Sequence, residues 1–154
     1  MEGRLLGIAR KARPRAVVET LERSSIGLET GIAGDFRGAI RPGRSNRRQV
    51  TIFAAEDWDA AIAELGVPVA WHHRRCNLFA GGIVLPRNRG ARLRIGATAI
   101  IEITGECDPC RRMEEVAPGL EAALTPDWRG GRNTRIIAEG EISVGDIITY
   151  EEQA

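Results

Sequence analysis

No stretch of this chain keeps one hydrophobic period for long. Short apolar runs alternate with glycine, proline and arginine, and that interruption limits which folds are open to it. The clearest run is residues 97–104, with Ala97, Ala99, Ile101 and Ile103 on one face and Thr98, Ile100, Glu102 and Thr104 on the other. Strands are also predicted at residues 5–9, 16–20, 49–53, 81–86, 134–139 and 146–150. One segment is plainly helical. Over Ala55–Leu65, Trp58, Ile62 and Leu65 fall at i, i+4 and i+7. Glu56, Asp57 and Asp59 lie in its first turns, where the macrodipole favours negative charge, and Gly66 is placed to end it. Residues 118–124 form a shorter helix, with Leu120 and Leu124 as an i, i+4 pair. Many short strands with few helices predict a mainly β fold, a closed or nearly closed barrel. Alternating α/β would need a helix after most strands.

A length of 154 residues suits a single domain over residues 1–154. Three cysteines, an odd number, make no disulfide framework. No run of apolar residues reaches membrane-spanning length and no secretory core opens the chain, so a reducing cytoplasm is expected. Net charge is +1, but residues 1–50 carry eleven basic and five acidic groups. Lys11 is the only lysine; the rest is arginine, whose planar fork suits phosphate and carboxylate. With 5% aromatics and none interleaved with the arginines, a base-stacking platform is missing and nucleic acid is not the favoured partner.

Two stretches carry candidate chemistry. Residues 27–48 lose all periodicity; Gly27, Gly31, Gly34, Gly38 and Gly43 break them up, and Arg37, Arg41, Arg44, Arg47 and Arg48 crowd their end. Long unpatterned loops inside a compact fold are usually functional or disordered. Residues 105–113 follow the best strand and read Gly-Glu-Cys-Asp-Pro-Cys-Arg-Arg-Met. Pro109 puts Cys110 in a loop at the strand end, beside Arg111 and Arg112, where cations acidify a thiol. Cys107 and Cys110 admit four readings: a thioredoxin-type dithiol, half a zinc site, two packed thiols, or one working thiol near arginines. A thiolate of the last kind attacks a persulfide or binds a soft metal such as molybdenum. Cys76, ahead of Leu78 and Phe79, reads as a small buried hydrophobe. Asn77 reads as a backbone-bonding residue of a tight turn. His72 and His73 have no acid at ligand spacing. The glycines of residues 128–132 can form an anion-binding nest.

In order along the chain, these pieces resemble the MOSC domain, found in molybdenum-cofactor sulfurases, amidoxime-reducing enzymes and small stand-alone bacterial proteins. The pieces are Gly31-Ile32-Ala33-Gly34-Asp35, Arg47-Arg48-Gln49-Val50-Thr51-Ile52, Arg75-Cys76-Asn77-Leu78, Pro109-Cys110, Arg129-Gly130-Gly131 and Gly140-Glu141-Ile142 running on to Gly145-Asp146. Phe36 stands where the family often has a basic residue or histidine. The resemblance implies a MOSC-type β-barrel with a few short helices and a molybdenum-pterin cofactor. It makes Cys110 the molybdenum ligand or sulfur-bearing thiol and gives Cys107 an auxiliary role. Arg37, Arg48 and Arg132, from the motif loops, and Asn77 are the expected cofactor-binding residues. Reduction of an N-hydroxylated substrate with electrons from a redox partner is one implied activity. Carrying persulfide sulfur from a cysteine-desulfurase-type donor is the other, because no pyridoxal-phosphate domain is present to generate it. A non-catalytic anion-binding module is the third.

Overall fold

The structure, a computed structural model, describes residues 2–152. Its first strand, β1 (Glu2–Arg10), is shared by three neighbours and closes the molecule. Along one edge β1 pairs with β6 (Leu78–Gly81). Along the other it pairs first with β11 (Ile147–Glu151), then with β2 (Glu19–Leu21). The circuit continues through β5 (Val50–Ala54), β9 (Arg132–Ala138), β8 (Ala99–Glu106) and β7 (Arg92–Ile95) back to β11, a barrel of seven strands with β2 as an appendage. Closure leaves the barrel strands without a free sheet edge. Among the described residues only β5 and β6 run parallel. A parallel pair needs a crossover, and α1 (Ala55–Leu65) is part of it.

Inward-facing residues of each strand fill the barrel: Leu5 and Ile8, Ile52, Leu78, Leu93 and Ile95, Ala99 and Ile101, and Ile148 are fully buried. A small sheet of β3 (Arg23–Gly27), β4 (Gly31–Ile32) and β10 (Gly140–Ser143) adds Ile26, Ile32 and Ile142 to this core. A second apolar cluster lies outside the barrel. There α1, α2 (Arg112–Val116) and α3 (Leu120–Leu124) bring Trp58, Ala61, Met113, Leu120 and Leu124 against Phe53 of β5. Cys76 and Cys107 are buried in this second cluster.

The mainly β barrel and the α1 helix are as the periodicity predicts; Gly66 caps α1 in the left-handed region at φ 79°. Three local expectations differ. The strand expected at residues 16–20 lies at Glu19–Leu21, and Val17 is 87% exposed because nothing apolar covers it. The strand expected at residues 81–86 lies at Leu78–Gly81; Gly82, at φ 76°, turns the chain out of the sheet instead. The helix over residues 118–124 begins at Leu120, since Gly119 at φ 92° has no helical conformation.

Candidate anion and thiol site

The site forms where four connections meet at one end of the barrel: those following β1, β4, α1 and β8. Asp35 fixes the first two to each other. Its Oδ1 accepts from Lys11 N at 2.9 Å and its Oδ2 from Arg37 N at 3.3 Å, while Phe36 N donates to Lys11 O at 2.9 Å. The Gly34-Asp35 pair therefore works as a buckle, and its carboxylate is committed to backbone amides. Phe36 is left with Lys11 Nζ 5.4 Å and Arg37 Cζ 5.1 Å from its ring centroid, so its face attracts both cations into the same corner.

The third connection ends in a single 3-10 turn at Trp71–Arg74, closed by Arg75 N donating to His72 O. Arg75 adopts φ 71°, a left-handed conformation that costs a non-glycine residue roughly 1–2 kcal/mol. It sends consecutive arginines different ways. Arg74 turns inward and is buried, while Arg75 remains half-buried at a cavity wall. Arg74 Nε donates to Gly130 O at 2.9 Å, and its Nη2 donates to Cys107 O at 3.0 Å and Asp108 O at 3.4 Å. The glycine loop after α3 thus serves through a carbonyl acceptor for a cation. A nest would present amides to an anion, but Gly131 N is already bonded to Trp128 O. A side chain at Gly130 would meet Cys107 O at 2.6 Å and the Arg74 guanidinium at 3.2 Å.

The fourth connection delivers the thiols. A register shift between Ile103 and Gly105 re-aims the end of β8, and Cys107 N bonds to Gly131 O at 3.0 Å. Cys107 is buried, whereas Cys110, three residues on, is exposed just before α2. Cys110 opens on a cavity of about 280 Å³. Seven of its twelve lining residues are Lys or Arg, and Asp108 is the one acid. Among the described residues, none of Lys11, Arg15, Arg37, Arg48, Arg74, Arg75 and Arg112 forms an ion pair with a carboxylate. The crowding has a consequence at Lys11. Burial first, then Arg75, Arg112 and Arg37, hold its ammonium at a pKa of about 8. A cleft of about 400 Å³ adjoins, carrying Arg41, Arg44 and Arg47 and sharing Phe36, Arg37 and Arg48 with the first.

Cys110, Arg37 and Arg48 are therefore brought together. Asn77 stands beside them but is committed to the fold: its Oδ1 accepts from Thr51 N at 3.0 Å and its Nδ2 donates to Ala9 O at 3.1 Å. Arg132 is elsewhere. It is buried beside a different cavity of about 380 Å³, giving hydrogen bonds to Leu85 O, Pro86 O and Trp128 O, with Asp57 at 3.7 Å. The structure does not bring it to Cys110. Lys11, Arg15 and Arg74 line the cavity without having been singled out as site residues from sequence, while Arg75 entered only within a motif piece and Arg112 only as a neighbour of Cys110. The signal for Arg74 was adjacency to the Arg75-Cys76-Asn77-Leu78 piece; Lys11 and Arg15 had none beyond the basic charge of the first fifty residues.

The arrangement defines a class: a small closed barrel with an exposed thiol at the edge of a cation-lined, carboxylate-poor cavity. The chain belongs to the MOSC domain family, whose model matches residues 40–149. Its fold is similar to those of three bacterial proteins of known structure. YuaD from Bacillus subtilis superposes with a TM-score of 0.84 at 21% identity, over 99% of this chain and 98% of that one. YiiM from Geobacillus stearothermophilus gives 0.72 at 15% identity, over 97% and 75%. YiiM from Escherichia coli gives 0.68 at 16%, over 98% and 71%. These identities speak for the fold alone. A comparison with curated proteins finds no match.

Proposed function

We propose that the cavity binds a phosphorylated, molybdenum-bearing pterin, with the Cys110 thiolate as the protein's ligand to the metal. The observation that carries this is the set of unpaired cations around a reachable thiol. Seven basic side chains without carboxylate partners repel one another, and a multiply charged phosphate relieves that repulsion. The donor set fits in a second way. Among the described residues no three His, Cys, Asp or Glu side chains stand together as a metal site. One thiolate suits a metal that arrives with its own organic ligand, as in a pterin complex, better than a bare ion needing several protein ligands. When bound, such a centre would supply two-electron oxygen-atom removal, for an N-hydroxylated or related substrate and with electrons from a redox partner.

The chain's own residues have simpler tasks. Lys11, Arg37 and Arg75 hold the phosphate, Phe36 forms an apolar wall, and Arg112 lines the cavity beside Cys110. Molybdenum X-ray absorption of protein purified with its metal tests the ligand assignment. One sulfur neighbour more in wild type than in Cys110→Ser is expected; identical shells would remove it. A persulfide-carrier role for Cys110 is the second reading. Its support is the exposure of that thiol at the edge of a cation-lined cavity.

A further inference from the structure

The Cys110 cavity accounts for only part of the unpaired positive charge at this end of the barrel. The adjoining cleft of about 400 Å³ is lined by Arg37, Arg41, Arg44, Arg47 and Arg48 and by no acid. Among the described residues none of these five forms an ion pair with a carboxylate. Their loop is nonetheless held in place. At its start Gly38 packs on the backbone of Thr30, where a Cβ would lie 2.1 Å from Thr30 O, and Ile40 N donates to Glu29 O at 2.8 Å. At its centre the Asn46 side chain ties the turn together: Oδ1 accepts from Arg41 N at 3.0 Å, and Nδ2 donates to Arg44 O at 3.1 Å. At its end buried Gln49 donates to Leu28 O and Gly38 O, and Thr104 Oγ1 donates to Arg47 O. The backbone is thus anchored while the guanidinium groups are left over. Of the five, only that of Arg41 gives a hydrogen bond among the described residues, to Phe36 O at 3.4 Å. An anchored loop cannot spread its like charges apart, so their repulsion is relieved by an anion.

Arg37 and Arg48, with Phe36, line the Cys110 cavity as well, so the two hollows meet at shared cations. Burial first, and Arg48 next, lowers the pKa of the Arg37 guanidinium from its ordinary value, a strain that negative charge at this boundary would offset. We propose that the cleft is a second phosphate subsite and that the ligand bound at this end of the barrel carries a diphosphate. One phosphate sits in the Cys110 cavity with Lys11 and Arg75, the next sits in the cleft with Arg41 and Arg44, and Arg37 and Arg48 bridge the two. Two separate phosphates would repel each other and compete for the shared arginines. Joined through one oxygen they share them, and binding of the first holds the second at high local concentration. Arginine suits the task because its planar fork meets two phosphate oxygens at once. The one aromatic ring of the cleft, Phe36, already has Lys11 and Arg37 near its centroid, so the cleft selects phosphate charge rather than a base. The inference rests on the phosphate-binding half of the proposed function and is independent of Cys110 as a metal ligand. Two sources would present this chemistry: the pterin itself, with its phosphate extended into a diphosphate, or a free nucleoside diphosphate that takes the same places.

The test is calorimetry of the whole chain with orthophosphate and with pyrophosphate at fixed ionic strength. Wild type is expected to bind one pyrophosphate per chain, about 100-fold tighter than orthophosphate. Arg41→Gln/Arg44→Gln should weaken pyrophosphate about 10- to 100-fold and leave orthophosphate within about twofold. Arg44→Gln alone, whose side chain makes no bond in the fold, should show the same selective loss in smaller measure. Arg4→Gln/Arg23→Gln removes two exposed arginines that line neither hollow and should change neither affinity. Two pyrophosphates per chain, wild-type pyrophosphate affinity in both cleft variants, or an equal loss in the Arg4/Arg23 control would overturn the subsite. Small molecules released by denaturing natively purified protein separate the sources. Two phosphorus atoms per molybdenum make the diphosphate part of the cofactor, and a nucleoside diphosphate makes it a separate ligand; neither would overturn the proposal. Loss of the pyrophosphate preference leaves the Cys110–molybdenum assignment standing, and identical molybdenum shells in wild type and Cys110→Ser leave the subsite standing. If wild type binds neither anion, the subsite and the phosphate-binding cavity fall together.

Discussion

Arg74 and Arg132 are both buried, and both spend their donors on backbone carbonyls: Gly130, Cys107 and Asp108 for the first, Leu85, Pro86 and Trp128 for the second. By hydrogen bonding alone they are alike. They differ in what balances their charge. Arg132 has Asp57 at 3.7 Å, whereas Arg74, among the described residues, has no carboxylate ion pair and lies 3.6 Å from Cys107 Sγ. The same contrast holds in their surroundings. The Arg132 cavity mixes Glu56, Asp57 and Asp127 with its arginines, and the Arg74 cavity has one acid among seven cations. A buried arginine with a carboxylate completes a fold. One whose counter-charge must come from a nucleophile or a ligand marks a place where chemistry is possible.

The sharpest way to break that comparison is to delete the structural member. Arg132→Met takes the guanidinium from Leu85 O, Pro86 O and Asp57, and about 3–5 kcal/mol of unfolding free energy should be lost in urea titration. Anion affinity of the folded fraction should not change. If stability holds, Arg132 is not the structural counterpart described here. Next comes the opposite case. Arg75→Glu should weaken pyrophosphate binding, measured by calorimetry, about 10- to 100-fold, with stability shifting by no more than about 0.5 kcal/mol. A large stability loss with little change in affinity would erase the contrast.

A third neighbourhood belongs with Arg132. On the outer face of the barrel Glu102 accepts from Arg92 at 2.9 Å and Arg135 at 2.6 Å. Burial works against the ionised Glu102, but these two arginines outweigh it and hold its pKa below the ordinary value. A lowered carboxylate adds stability above its unfolded value, which is lost as pH falls through the folded one. Glu102→Gln should therefore cost about 1–2 kcal/mol near neutral pH. It should also flatten the acid-side decline of stability below about pH 4. The smallest effect concerns Lys11. Its pKa of about 8 rises when an anion binds, so anion affinity should decline as pH climbs past that value. Lys11→Arg should remove the decline and leave affinity at lower pH nearly unchanged; a persistent slope would place the titrating group elsewhere.

Much of the architecture was legible from residues alone. The two-residue alternation of Ala99, Ile101 and Ile103 placed β8, and the helical spacing of Trp58 and Ile62 placed α1, because both patterns are local. The exposed Cys110 was legible too, since Pro109 cannot continue a strand. Ala16, Val17 and Val18 misled because β-propensity describes a surface that needs a neighbour, and Val17 has none.

What the chain determines by itself is its set of short strands, its one long helix and a loop that ends in a thiol. Tertiary structure alone decided which arginines meet that thiol. Arg132 and Arg74 look equally basic in sequence, but their neighbours, the Asp57 carboxylate and the Cys107 sulfur, come from distant segments. Charge compensation acts through space over a few ångströms, so barrel closure, which brings those segments together, sets the role of each arginine.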